Sequence, residues 1–119
     1  MMDCRRILIV DDEKKIGELY SAMLEDLGYY VKTAQDGCIA LTCVSEEKFD
    51  IVFLDQFLGS TKGLDLMQKM LEIDPDLSFV IITGNSTSDI AVESLKRGAS
   101  DFYRKAIFKF RFSKEHRVR

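Results

Sequence analysis

The chain has 119 residues, 46% of them hydrophobic and 31% charged, which suits one compact domain with its own core and leaves no room for a second. No apolar run approaches bilayer length, and Asp3, Arg5 and Arg6 interrupt the stretch a signal peptide would need, so a soluble, cytoplasmic protein without membrane attachment is expected. The net charge of −3 is unevenly spread: residues 104–119 hold seven Lys/Arg against one Glu, a net of +6, which leaves ten basic and nineteen acidic residues, a net of −9, in 1–103. An acidic body argues against direct nucleic-acid binding by the core, because phosphate backbones demand a basic footprint. Cys4, Cys38 and Cys43 form an odd set without metal-ligand spacing and read as reduced thiols.

Taken in chain order, Ile7, Leu8, Ile9 and Val10 form a short continuous apolar run that stops at Asp11 and Asp12, the pattern of a strand buried on both faces. Between 13 and 27 the apolar residues Ile16, Leu19, Tyr20, Met23, Leu24 and Leu27 recur at helical spacing, and Gly28 supplies the stop. Residues 30–34 read as a second strand. Asp36 and Gly37 signal a turn, and 38–47 a second helix. A third strand over 49–54 ends at Asp55. After a loop at Gly59 and Ser60, Leu64, Met67, Met70 and Leu71 mark a third helix, ended by Asp74 and Pro75. Residues 79–82 form another all-apolar strand, finishing at Thr83 and Gly84. Residues 85–89 offer caps for a fourth helix through Lys96, closed by Gly98, and 101–104 form a last short strand ending at Lys105.

Strands that alternate with helices and are apolar on both sides specify an α/β fold, a doubly wound parallel sheet between helix layers. In such sheets ligands bind beyond the carboxyl ends of the strands. Four strands deliver Asp11 and Asp12, Asp55, Thr83 and Lys105 to that edge. Singly, each has a bland explanation as a cap or a solvated side chain; four coincident strand ends point to a shared task. Crowded carboxylates need a raised pKa or a cation, and oxygen-only ligands favour a hard ion such as Mg²⁺. Beside such an ion a carboxylate can attack phosphorus, with Thr83 and Lys105 as donors to the phosphoryl oxygens.

Val10-Asp11-Asp12, Asp55 with Gly63 eight residues on, Thr83-Gly84, and Gly98-Ala99-Ser100-Asp101-Phe102 leading to Lys105 together resemble the response-regulator receiver family of two-component signalling, over about residues 5–107. The resemblance implies a five-stranded, flavodoxin-like sheet of order 2-1-3-4-5. It implies Asp55 as phosphoacceptor, Asp12 as a direct Mg²⁺ ligand, Asp11 as a partner acting through a water, and the Phe57 backbone carbonyl as the remaining protein ligand. Thr83 and Lys105 would contact the phosphoryl oxygens, and Phe102 would be an aromatic switch. A histidine kinase or phosphotransfer protein would supply the phosphoryl group, and a downstream protein or output domain would receive the signal; any catalysis by the domain would be limited to its own phosphorylation and slow dephosphorylation. The alternative is an unphosphorylated interaction module of the same fold with a degenerate site.

Two departures support that alternative. Gly59 and Ala106 stand where the family commonly has Pro, and a non-proline bond after Lys105 is expected to be trans. Residues 1–107 then form the receiver core, and 108–119 a basic, Phe-rich tail. Phe108, Phe110 and Phe112 alternate with Lys109 and Arg111, a two-residue period that suits a strand better than the family's last helix. A short or irregular helix is expected there, with a homodimer through this segment as the alternative.

Overall fold

The computed structural model describes residues 5–58, 61–83, 93, 95–99 and 101–104. Its main sheet is built from β1 (Arg6–Val10), β2 (Tyr30–Ala34), β3 (Ile51–Asp55), β6 (Ser78–Thr83) and β7 (Asp101–Arg104), all parallel and in the order β2-β1-β3-β6-β7. Counted along the chain these five strands run 2-1-3-4-5, as expected. Between them lie α1 (Lys14–Asp26), α2 (Gly37–Glu46) and α3 (Gly63–Ile73), and a small antiparallel hairpin of β4 (Phe57–Leu58) and β5 (Thr61–Lys62).

The uniformly apolar strands are explained by burial on both faces. Along β1, Leu8 and Val10 belong to the core layer that includes Ala40, Met67 and Met70 of α2 and α3, while Ile7 and Ile9 pack with Tyr20 and Leu24 of α1. The same alternation runs through β3, where Val52 and Leu54 face the first layer and Phe53 the second. Each helix has a local reason for its bounds. Gly28, at φ +99°, turns the chain out of α1, and its N–H donates to the Glu25 carbonyl at 2.9 Å. The Asp36 carboxylate accepts the Ile39 N–H at 2.8 Å and so caps α2.

The hairpin was not expected: the loop at Gly59 and Ser60, which lies outside the described residues, is flanked by two residue pairs, Phe57 with Lys62 and Leu58 with Thr61. Strands this short carry no alternation to read. The described end of the fourth helix agrees with expectation, with Gly98 at φ +111° and its N–H on the Leu95 carbonyl at 3.2 Å. The start of that helix, the bond after Lys105, and the tail with its helix or dimer alternatives lie outside the described residues.

At the amino end of the sheet Arg6 ties three elements together. Its guanidinium donates to the Lys48 carbonyl at 2.7 Å and to the Glu47 carboxylate at 2.6 Å, and sits 4.1 Å from the centre of the Tyr30 ring. Lys32 completes the group with a 2.6 Å ion pair to Glu47. The Lys32 hydrogen bond, the larger cause, and the nearby charges of Lys32 and Arg6 hold the Glu47 carboxyl below its ordinary value.

Candidate metal and phosphoacceptor site

At the opposite, carboxyl edge, β1 and β3 end side by side, Val10 paired with Leu54. The next residue on each strand is an aspartate. Asp11 continues the ladder by donating its N–H to the Ala34 carbonyl at 3.1 Å, and its own carboxylate accepts the Glu13 N–H at 2.9 Å, fixing the turn that leads into α1. Asp55 is the last residue of β3, and Gln56 after it still donates to the Ile82 carbonyl at 3.1 Å. Asp11 and Asp55 are buried, whereas Asp12 is exposed.

Asp11, Asp12 and Asp55 each bring one carboxylate oxygen into a group whose members all lie within 4.8 Å of one another. Oxygen donors alone, two of them on buried carboxylates, form a set matched to a hard divalent cation rather than to zinc or copper. An ion there would offset the repulsion among three acids.

The other expected residues divide by what is described. Thr83 closes β6 with its backbone paired to Arg104; Phe57 stands in the hairpin two residues beyond Asp55; and Phe102 pairs with Ile81 in β7. The side chains of all three, and Lys105 entirely, lie outside the described residues. Two features beside the acids were not anticipated. Gln56 is buried, and its Oε1 has no hydrogen-bond partner among the described residues. Gly63 at the start of α3 donates its N–H to the Gln56 carbonyl at 2.7 Å, which closes the hairpin against the end of β3. The Asp55–Gly63 spacing was visible in the sequence, but not the contact it produces. A cleft of about 190 Å³ also opens beside Asp11, between Gly17 and Glu18 of α1 and the end of β2 at Thr33 and Ala34.

A sequence profile described as the response regulator receiver domain matches residues 7–114, most of the chain. The chain belongs to this family. It is a receiver domain of the two-component response regulators. Among its relatives, the alginate biosynthesis transcriptional regulatory protein AlgB of Pseudomonas putida is 41% identical over 97 residues, covering 82% of this chain and 22% of that protein. This receiver domain therefore spans about a fifth of the length of that relative. Of solved structures, NtrX from Brucella abortus in complex with ADP superposes with a TM-score of 0.85 at 32% identity, covering 98% of this chain and 27% of that one. A response regulator protein from Burkholderia pseudomallei, with a phosphorylated aspartic acid, calcium ion and citrate, gives 0.80 at 30% identity, covering 85% of this chain and 59% of that one. Receiver domains of this class interact with histidine kinases and carry output domains. Among the described residues no helix is long and apolar enough to cross a membrane.

Proposed function

We propose that this receiver domain accepts a phosphoryl group on Asp55 in a Mg²⁺-dependent reaction. The observation that carries the reading is the convergence of Asp11, Asp12 and Asp55 at the carboxyl edge of a parallel sheet, where such folds bind their ligands. The phosphorylated aspartic acid and calcium ion of the Burkholderia pseudomallei protein are consistent with it. Asp12 and Asp55 would hold the ion directly with the Phe57 carbonyl, and Asp11 through a bridging water. When bound, Mg²⁺ neutralises charge on the transferring group.

In this reading an Asp55 carboxylate oxygen attacks phosphorus of a phosphohistidine on a histidine kinase or phosphotransfer protein. The P–O bond forms as the P–N bond breaks, and the imidazole leaves with the electron pair. The Thr83 hydroxyl and Lys105 ammonium donate to the phosphoryl oxygens. The product adds roughly −1.5 to −2 charges and three acceptor oxygens, which draws Thr83 toward the site and lets Phe102 turn inward as the switch. A downstream protein or an output domain reads that change. The setting is the cytoplasm, and the acidic core engages neither nucleic acid nor membrane.

Incubation with acetyl phosphate and Mg²⁺, followed by intact mass measurement, tests the proposal. Wild type gains one phosphoryl group, while Asp55→Asn, or EDTA in place of Mg²⁺, abolishes the gain. A wild type that stays unmodified, or an Asp55→Asn variant modified to the same extent, overturns it.

A further inference from the structure

Gly63 opens α3, and the space in front of its Cα is filled by the main chain that carries Asp55. A Cβ built there would collide with the Asp55 carbonyl oxygen and would lie 3.1 Å from the Gln56 Cα and 3.2 Å from the Asp55 carbonyl carbon. These atoms cannot turn aside as a side chain can, because Gln56 is tied to β6 through its N–H on the Ile82 carbonyl and to Gly63 through its own carbonyl. Gly37, the first residue of α2, shows the contrast: among the described residues a Cβ there would meet only the Leu66 side chain, at 3.4 Å and beyond. Gly28 and Gly98 are needed for a positive φ; Gly63, which has none, is needed for close approach.

Between Gln56 and Gly63 runs the hairpin that begins with Phe57. The contact between residues 56 and 63 closes its mouth at the residue that stands between Asp55 and Phe57 in the chain. We propose that Gly63 is a positioning residue for the cation site, its missing side chain letting α3 press against the Asp55–Gln56 peptide so that a small ion is met by both groups. The inference rests on the assignment of Asp55 and the Phe57 carbonyl as ligands made above.

Any added methyl must displace the peptide or the helix by several tenths of an ångström. Mg²⁺, which demands near-octahedral geometry at about 2.0–2.1 Å, is intolerant of such a shift, whereas Ca²⁺ accepts irregular geometry at about 2.3–2.6 Å. Loss of positioning therefore separates from loss of stability: it changes the preference between two ions, which a merely weakened fold does not.

Isothermal titration of wild type, Gly63→Ala and Gly37→Ala with Mg²⁺ and with Ca²⁺ provides the test. Gly63→Ala should weaken Mg²⁺ binding about 10- to 100-fold, the range found when supporting groups around a metal site are disturbed. Ca²⁺ binding should weaken less, and Gly37→Ala should leave both unchanged. Equal loss for the two ions, or no loss, overturns the proposal. Wild type that takes up no Mg²⁺ while still forming the Asp55 adduct overturns it too, whereas failure of both overturns the site assignment beneath it. If Gly63→Ala does not fold, the wild type decides: the Gly63 amide resonance should shift, and its hydrogen exchange slow, on Mg²⁺ saturation. A Gly63 amide indifferent to Mg²⁺ refutes the role.

Discussion

Gln56 holds a buried side-chain oxygen that lacks a partner among the described residues, one residue from the proposed phosphoacceptor. A buried acceptor left unpaired costs about 1–3 kcal/mol, and Met has nearly the same length without the oxygen. Gln56→Met should therefore raise the free energy of unfolding by about 1 kcal/mol, read from urea denaturation. A drop of similar size would mean that the oxygen is hydrogen-bonded in solution. Asp11, Asp12 and Asp55 could be singled out in the sequence because each stands at the end of an apolar run, and a carboxylate after a buried strand is conspicuous. Gln56 could not: a neutral amide just past a strand end looks like any loop residue, and only the register of β3 against β6 places it inside. Cys43 lies in the core. It is buried, and burial, the first cause, pushes its thiol above the ordinary value, so it stays protonated at neutral pH.

The helices owe their limits to single residues. At α2, Asp36 satisfies the Ile39 N–H, one of the donors every helix leaves open at its start. Asp36→Ala should cost about 1 kcal/mol, seen as a lower urea midpoint with an unchanged slope, while Asp36→Asn should recover most of it. The helical stretches were legible because five apolar positions in α1, followed by Leu27 at its C-cap, repeat at the period of the helix, and because Gly28 and Asp36 are punctuation with a known mechanism. The hairpin between β3 and α3 was not legible. Two-residue strands bury too little to impose alternation, and the approach of Gly63 to the Asp55–Gln56 backbone beside them is a contact between main chains, marked in the sequence by a glycine that does not by itself say what it meets.

Across the whole molecule the two ends of the sheet do different things. The amino end is tied by Arg6, Lys32 and Tyr30 around Glu47; the carboxyl end gathers three acids. Because the Glu47 carboxyl is held below its ordinary value of 4.5 in the folded chain, its contribution to stability is fully present above that value and is lost as pH falls through the depressed one. Wild type should thus exceed Glu47→Gln in urea midpoint at neutral pH, and the difference should disappear in acid well below 4.5. A gap that persists unchanged in acid would show that the carboxylate charge is not what stabilises this corner.

The sheet order was readable from the strand–helix alternation together with the family resemblance, since double-sided apolar strands leave few other arrangements. That same double burial makes β3 intolerant of frame changes. Val52 and Leu54 belong to one layer and Phe53 to the other, so inserting one residue anywhere in the strand would exchange the two sets and carry the Asp55 carboxylate across the sheet, away from Asp11. Length variation among descendants of this chain is thereby confined to its connections, while the spacing from Ile51 to Asp55 can change only by losing the site.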